Sequence, residues 1–258
     1  MPSRYEQAVD VTGRSLVLAV VPALATLLSF SKVAQALAAR GGGGITFPFP
    51  TGLPTLWTYV SLPGGGGTAG LSGPLELVVF FPLFVVGLVV TSALEAGFLG
   101  SLARRLDGQT VDFEGSVRRF TLRMIGVNLL RAAVVFLVLP LMFFPPLALL
   151  VIIVLTYLIY GLPFEVVVGD YGVFEALEAS VAAALAGGPY AGFGAAHLLA
   201  GAAGSVLMTW LVRNGGIFGI LVGTALVAVP ATFVATYGLL VFRDLESGGA
   251  HRTPAAAA

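Results

Sequence analysis

Cysteine is absent from the 258 residues, which excludes disulfides, thiolate metal sites and a cysteine nucleophile. Charge is scarce. Only 10% of the residues are Asp, Glu, Lys or Arg, against about a quarter in soluble globular chains. Neither sign dominates, because 13 basic residues balance 13 acidic ones. That balance excludes a basic nucleic-acid binder, and an apolar content of 57% excludes a disordered chain. Lysine is nearly missing, with Lys32 standing against twelve arginines. Catalytic signatures are missing too: there is no GxxxxGK phosphate loop, no HExxH, no GxSxG elbow and no Cys/His cluster. The acids are scattered and face no nucleophile in the sequence, so neither an enzyme nor a cofactor or metal is expected. A soluble domain with so few charges could not cover its surface. The composition is that of a polytopic membrane protein.

What is present is a series of apolar runs. A bilayer core takes roughly 20 apolar residues as a helix. Six stretches meet or approach that length, at about 15–39, 75–102, 124–144, 147–168, 191–212 and 217–242. They are continuously apolar and do not alternate as barrel strands do. Helices satisfy their backbone polar groups within one segment, so each run reads as a spanning helix. The expectation is an all-α transmembrane bundle of six spans, forming one domain over residues 1–246. An outer loop covers 40–73, cytoplasmic loops cover 104–122 and 169–190, and 247–258 reads as a disordered tail. Pro145-Pro146 and Asn214-Gly215-Gly216 leave tight turns, which predict two antiparallel hairpins.

Arginine placement sets the orientation. Arg4 and Arg14 precede the first span, Arg104, Arg105, Arg118, Arg119 and Arg123 lie between the second and third, and Arg243 and Arg252 follow the last. An even number of spans puts all three groups on one side, so a cell-membrane protein with both termini cytoplasmic is expected. Ala36-Leu37-Ala38 is similar to a signal-peptide cleavage site, but Glu6 and Asp10 spoil a positive leader region.

A threefold pattern is superimposed on the spans. Tyr5-Glu6, Phe113-Glu114 and Phe174-Glu175 each open a short amphipathic segment just before a pair of spans. An acid in the first turn suits the positive end of a helix dipole, and Asp112 is a candidate N-cap. The unit would be an interfacial helix followed by a transmembrane hairpin, used three times.

Phe164-Glu165-Val166-Val167-Val168-Gly169-Asp170-Tyr171-Gly172-Val173-Phe174-Glu175-Ala176-Leu177-Glu178-Ala179-Ser180 carries a resemblance. The stretch resembles a pattern in uncharacterised six-helix archaeal, especially haloarchaeal, membrane proteins. It is also similar to the membrane domain attached to some bacterial glycerophosphoryl diester phosphodiesterases. In those families a span ends in a Val/Ile run, an acidic Gly-containing turn follows, and a helix beginning Glu-Ala-Leu reaches a Ser. Members often carry basic residues after that Ser, whereas 182–188 has none here, which weakens a headgroup role for this segment. The resemblance implies a six-span fold and no activity. These residues contain no phosphodiesterase domain.

Charges at membrane depth are the default functional candidates. Arg131 lies eight residues, roughly 12 Å of helix, beyond Arg123. Glu95 and Glu165 lie toward the cytoplasmic ends of the second and fourth spans, and all three could meet at one depth. Glu165 is the preferred partner of Arg131, because the Pro145-Pro146 turn forces spans three and four together. Asn128, one turn from Arg131, could extend the group. The cluster would hold an ion, a proton or an anionic lipid, or it would be a structural ion pair. His197 reads as a packing residue.

Small residues at four-residue spacing predict close helix contacts. Gly192, Ala196, Ala200 and Gly204 form one face of the fifth span, and Gly215, Gly219 and Gly223 one face of the sixth. Ala93, Gly97 and Ser101 form a third. The outer loop holds glycine-rich runs, Gly41 to Gly44 and Gly64 to Gly67, around an uncharged segment with Phe47, Phe49, Trp57 and Tyr59. Such a segment suits the membrane interface, with a re-entrant dip as the alternative. Prolines within the spans, Pro163 above all, are candidate kinks. The partners expected are the lipid bilayer and a membrane protein or second copy, with no nucleic acid. The function expected is structural, assembly or lipid-interacting, with a small transporter or permease subunit as the alternative.

Overall fold

A computed structural model describes residues 3–39, 43–62 and 74–248, with backbone alone for 74–80. Gly64 to Gly67, Gly41, Gly42 and nearly all of the expected C-terminal tail lie outside the described residues. Every regular element within them is helical.

Helix α1 (Arg4–Arg14) begins with a capping box, in which Ser3 Oγ accepts from the Glu6 N–H and Glu6 Oε2 accepts from the Ser3 N–H. A single 3-10 turn leads into α2 (Val20–Leu28), and the chain bends by 81° between α1 and Leu16–Leu28. Ser29, at φ −80° and ψ 61°, breaks the helix before α3 (Phe30–Ala38). The first apolar run is therefore two helical pieces, because the Ser29 hydroxyl bonds back to the Ala25 carbonyl and the backbone leaves the helical region.

Helix α4 (Pro74–Leu106) and α5 (Phe113–Val138) form the most extensive helix pair. Gly97 faces the Phe113 ring and Gly100 faces Ser116 and Phe120, so the two backbones lie close. Asp112 caps α5 as expected, accepting from the Gly115 N–H at 2.9 Å. Phe113 to Val117 is the first turn of α5 and continuous with the span. The separate interfacial helix expected there does not exist, because nothing between Phe113 and Val138 breaks the helix. A 3-10 turn (Leu139–Phe143) and Pro145-Pro146 then reverse the chain into α6 (Pro145–Ile159). The fourth run is also divided. Helix α6 ends at Ile159, and α7 (Leu162–Val168) starts afresh with Pro163 in its first turn, where the missing N–H is harmless.

Helix α8 (Val173–Ala186) is the amphipathic piece between spans. Glu175 accepts from the Gly172 N–H at 2.9 Å, mirroring Glu6 in α1. Gly187 and Gly188, both at positive φ, turn the chain into α9 (Gly188–Ser247). As one rod its 60 residues would reach roughly 90 Å, three times a bilayer core. It is not one rod. Gly216, at φ 54° and ψ −133°, divides it, and a Cβ on Gly219 would strike the Leu211 carbonyl. Those residues would be about 12 Å apart in a continuous helix, so the arms 188–215 and 217–247 fold back on each other.

Among the described residues, four helical segments are long and apolar enough to cross a membrane, or five if the bent pair around Ser15 is one span. Two hydrophobic clusters hold the fold. The larger joins α2, the segment 43–62, α4, α5, α6, α7, α8 and both arms of α9, and the smaller joins α3, the same segment and both arms of α9. Around them runs an exposed belt that includes Phe136, Leu137, Phe143, Leu149, Leu207 and Phe218, with Phe143 87% exposed. A monomer in water rarely leaves so large an apolar surface bare, whereas lipid tails cover it.

Candidate functional site

Glu95 and Arg131 meet because α4 and α5 are antiparallel and both residues stand equally deep. Glu95 precedes Arg104 by nine residues and Arg131 follows Arg123 by eight, roughly 13 and 12 Å of helix. Arg131 Nη1 lies 3.3 Å from Glu95 Oε1, with side-chain exposures of 25% and 3%. Asn128 joins the pair on both sides. It accepts from Arg131 Nη1 at 3.1 Å, and its Nδ2 donates to Glu95 Oε2 at 3.2 Å and to Ser92 Oγ at 3.0 Å. The result is a four-residue polar bridge between two helices.

The expected pairing of Arg131 with Glu165 is corrected. Glu165 is fully buried on α7, but the ion pair of Arg131 is made with α4. Depth is the reason. Asp170 is tied to the base of α5, and Glu165 lies only five residues before it. That clamp has three contacts. Arg119 Nη2 donates to Asp170 Oδ2 at 2.8 Å, and Arg123 Nη1 reaches Asp170 Oδ1 at 2.5 Å and its carbonyl at 2.9 Å. Asp170 sits at φ 55°, a conformation that Asp tolerates better than most residues. The Arg119 hydrogen bond and then Arg123 hold the Asp170 carboxyl below the ordinary carboxylate range.

Other charges that flank the apolar runs gather at this same end. Arg4 pairs with Asp244, Arg104 with Asp112 at 3.8 Å, and Arg243 with Asp107 at 2.9 Å. A cavity of about 320 Å³ between them is lined by Arg104, Asp107, Asp112, Arg119, Asp170 and Arg243. Its arginines and carboxylates balance.

The predicted packing faces divide. Gly219 and Gly223 are buried, Gly219 against the Leu211 backbone and Gly223 against Leu56 and Leu211. Gly215 stands at the turn and touches nothing within 4 Å of its missing side chain. The expected face of the fifth span is corrected. Gly192, Ala196 and Ala200 are exposed, Gly204 is half-buried, and Gly192 and Gly204 have open space around them. The packed face is instead Phe193, His197, Gly201, Ser205 and Met208, because the outer segment fills the groove on that side. His197 lies between the Tyr59 and Phe193 rings.

That segment takes a path closer to the re-entrant alternative than to the interfacial one, with residues 43–62 packed into the bundle. Thr46 N–H donates to Ser205 Oγ, Leu56 N–H to Thr26 Oγ1, Trp57 Nε1 to the Thr26 carbonyl and Ser61 N–H to Thr209 Oγ1, at 2.8 to 3.1 Å. Pro48 packs on Gly201, Phe49 stacks on Tyr160, and Gly52 abuts Glu95, Leu99 and Pro163. Backbone without regular structure survives at such depth only when protein groups bond it. The hydroxyls of Thr26, Ser205 and Thr209 do so here.

Three tyrosines escaped the sequence reading. The Tyr190 hydroxyl donates to the Tyr157 carbonyl at 2.7 Å, and Ser180 Oγ to the Leu158 carbonyl at 2.8 Å. The Tyr160 hydroxyl donates to the Tyr190 carbonyl. Tyr190 and Ser180 thereby satisfy carbonyls left over where α6 stops, while Tyr160 ties that end to the start of α9. The aromatic–hydroxyl pattern carries no spacing signal, because the partners come from α6, α8 and α9.

No protein-family model, curated protein or solved structure matches the chain.

Proposed function

We propose that the chain is a six-span integral membrane protein with both termini on the cytoplasmic side and a non-enzymatic, structural or lipid-interacting role. Six spans follow if the two arms of α9 count separately and if α2 and α3 together make the first span. The gathering of Arg4, Arg104, Arg119, Arg123 and Arg243 at one end supports the orientation. The haloarchaeal-type resemblance of 164–180 belongs to the same proposal and adds no activity. The single observation that carries the structural role is the closed bridge of Glu95, Arg131, Asn128 and Ser92. A charge at membrane depth is costly unless neutralised, and here each charged group meets its partner across the largest helix contact.

Cysteine labelling tests the layout directly, since the native chain has no Cys. Gln109→Cys and Asn214→Cys, both exposed, should react with a membrane-impermeant maleimide from opposite sides. Labelling of both from one side defeats the six-span arrangement. A transporter is the second reading, favoured by the broken first span and by the cavity beside Arg131. Its test is solute flux in proteoliposomes that is abolished by Glu95→Gln while the protein still folds.

A further inference from the structure

We infer that the cavity between α3, α5, α6 and the inserted segment is a binding site for a phosphate-type anion carried on an amphiphile. The inference deepens the lipid-interacting reading above and rests on it. The cavity holds about 510 Å³. Lys32 and Arg131 both line it, and no Asp or Glu does among the described residues. Glu95 neutralises Arg131 from behind, so Lys32 leaves the cavity with one uncompensated positive charge. Lys32 forms no ion pair among the described residues, and it is the one lysine in the chain.

Three further features point the same way. Both recorded hydrogen bonds of Arg131 leave from Nη1, so its remaining N–H groups are available on the cavity side. Helix α3 starts at the cavity rim beside Ser29 without a side-chain cap, so its first N–H groups have no side-chain acceptor. Thr51, Thr55, Thr58, Thr91 and Thr156 line the cavity and bring hydroxyl-bearing side chains to its wall. Val134, Val135 and Ile152 form an apolar stretch of the wall beside the exposed belt. Cationic and hydroxyl-bearing groups together with an aliphatic stretch suit an anionic headgroup with an attached chain.

Trp57 lines the cavity and reports on it once the only other tryptophan, the exposed Trp210, is replaced by Phe. The full chain in a neutral detergent is titrated with dihexanoyl phosphatidylglycerol, dihexanoyl phosphatidylcholine and inorganic phosphate while Trp57 fluorescence is read. Saturable binding of the phosphatidylglycerol is expected. Lys32→Gln should weaken it at least tenfold, and Lys32→Arg should restore it. Because Lys32 is exposed, its variants are expected to elute as the parent does. Equal affinity for inorganic phosphate supports the anion pocket and assigns it to the free ion. Equal affinity for the zwitterionic lipid, or an unchanged affinity in Lys32→Gln, overturns the inference. If the maleimide experiment succeeds and this titration shows no saturation, the site fails while the membrane layout stands.

Discussion

Replacing Arg131 by Ala leaves the Glu95 carboxylate buried with only the Asn128 amide as a recorded donor. Breaking a buried pair from one side costs about 3–5 kcal/mol in proteins generally. Arg131 retains some access to the cavity, with a side chain 25% exposed, so the lower end of that range, about 3 kcal/mol, is expected. For a domain of this size, 1 kcal/mol moves Tm by about 2–4 °C, so Arg131→Ala should lower it by roughly 6–12 °C. Adding Glu95→Gln removes the stranded charge and keeps a group that can still bond Asn128. The double variant should regain most of the loss and settle within about 1 kcal/mol of the parent. The assay is the midpoint of thermal loss of monodisperse protein in detergent, read by fluorescence-detected size exclusion for the parent, both single variants and the double. A double variant as unstable as Arg131→Ala alone would refute the reasoning, because the penalty would then come from lost packing and not from the stranded charge. A single variant as stable as the parent would refute it equally.

Gly219→Leu should prevent the arms of α9 from closing and abolish monodisperse protein, whereas Gly192→Ala, on an open face, should change Tm by no more than about 1 °C; size exclusion compares them. Gly52→Val places side-chain atoms against Glu95, Leu99 and Pro163, so the inserted segment should be expelled, and a Cys at Leu56, fully buried in the parent, should become reactive in that background while staying protected in the parent. Asp170 has a lowered pKa in the folded state, so its stabilisation is complete above the unfolded carboxylate value of about 3.9 and fades as pH falls through the lower folded value. Its side chain is 46% exposed, so solvent screening limits the contribution to about 1 kcal/mol or less. Asp170→Asn tolerates the same backbone and isolates the charge. The stability gap between parent and variant should be level from pH 7 to 5 and begin to narrow as pH falls below about 4; a gap that does not narrow at all between pH 5 and 3 would count against the clamp.

The helix starts were legible because their signals are local. Ser3 with Glu6, Asp112 with Gly115 and Gly172 with Glu175 each act within three residues. The hairpin at Asn214-Gly215-Gly216 was legible for the same reason, since only glycine adopts the conformation at Gly216 readily. The polar bridge was half legible. Counting residues from the arginine clusters places Glu95 and Arg131 at one depth, yet the short Pro145-Pro146 turn pointed wrongly to Glu165. Chain proximity says which helices are neighbours, and the depth at which each residue sits decides which residues meet.

The sequence by itself determined a helical, bilayer-suited chain, its turns, and the clustering of arginines outside the apolar runs. Those properties depend on composition and on contacts a few residues long. Only the tertiary structure decided where the uncharged segment 43–62 goes. Its bonding partners, Thr26, Ser205 and Thr209, come from two distant helices. Its insertion also reverses the packing of the fifth span, turning Gly201 inward against Pro48 and Gly192 outward. It completes the wall of the cavity that holds Lys32 and Arg131. Burial of that segment requires long-range partners for every polar group it carries inward, and no local pattern in the sequence records them.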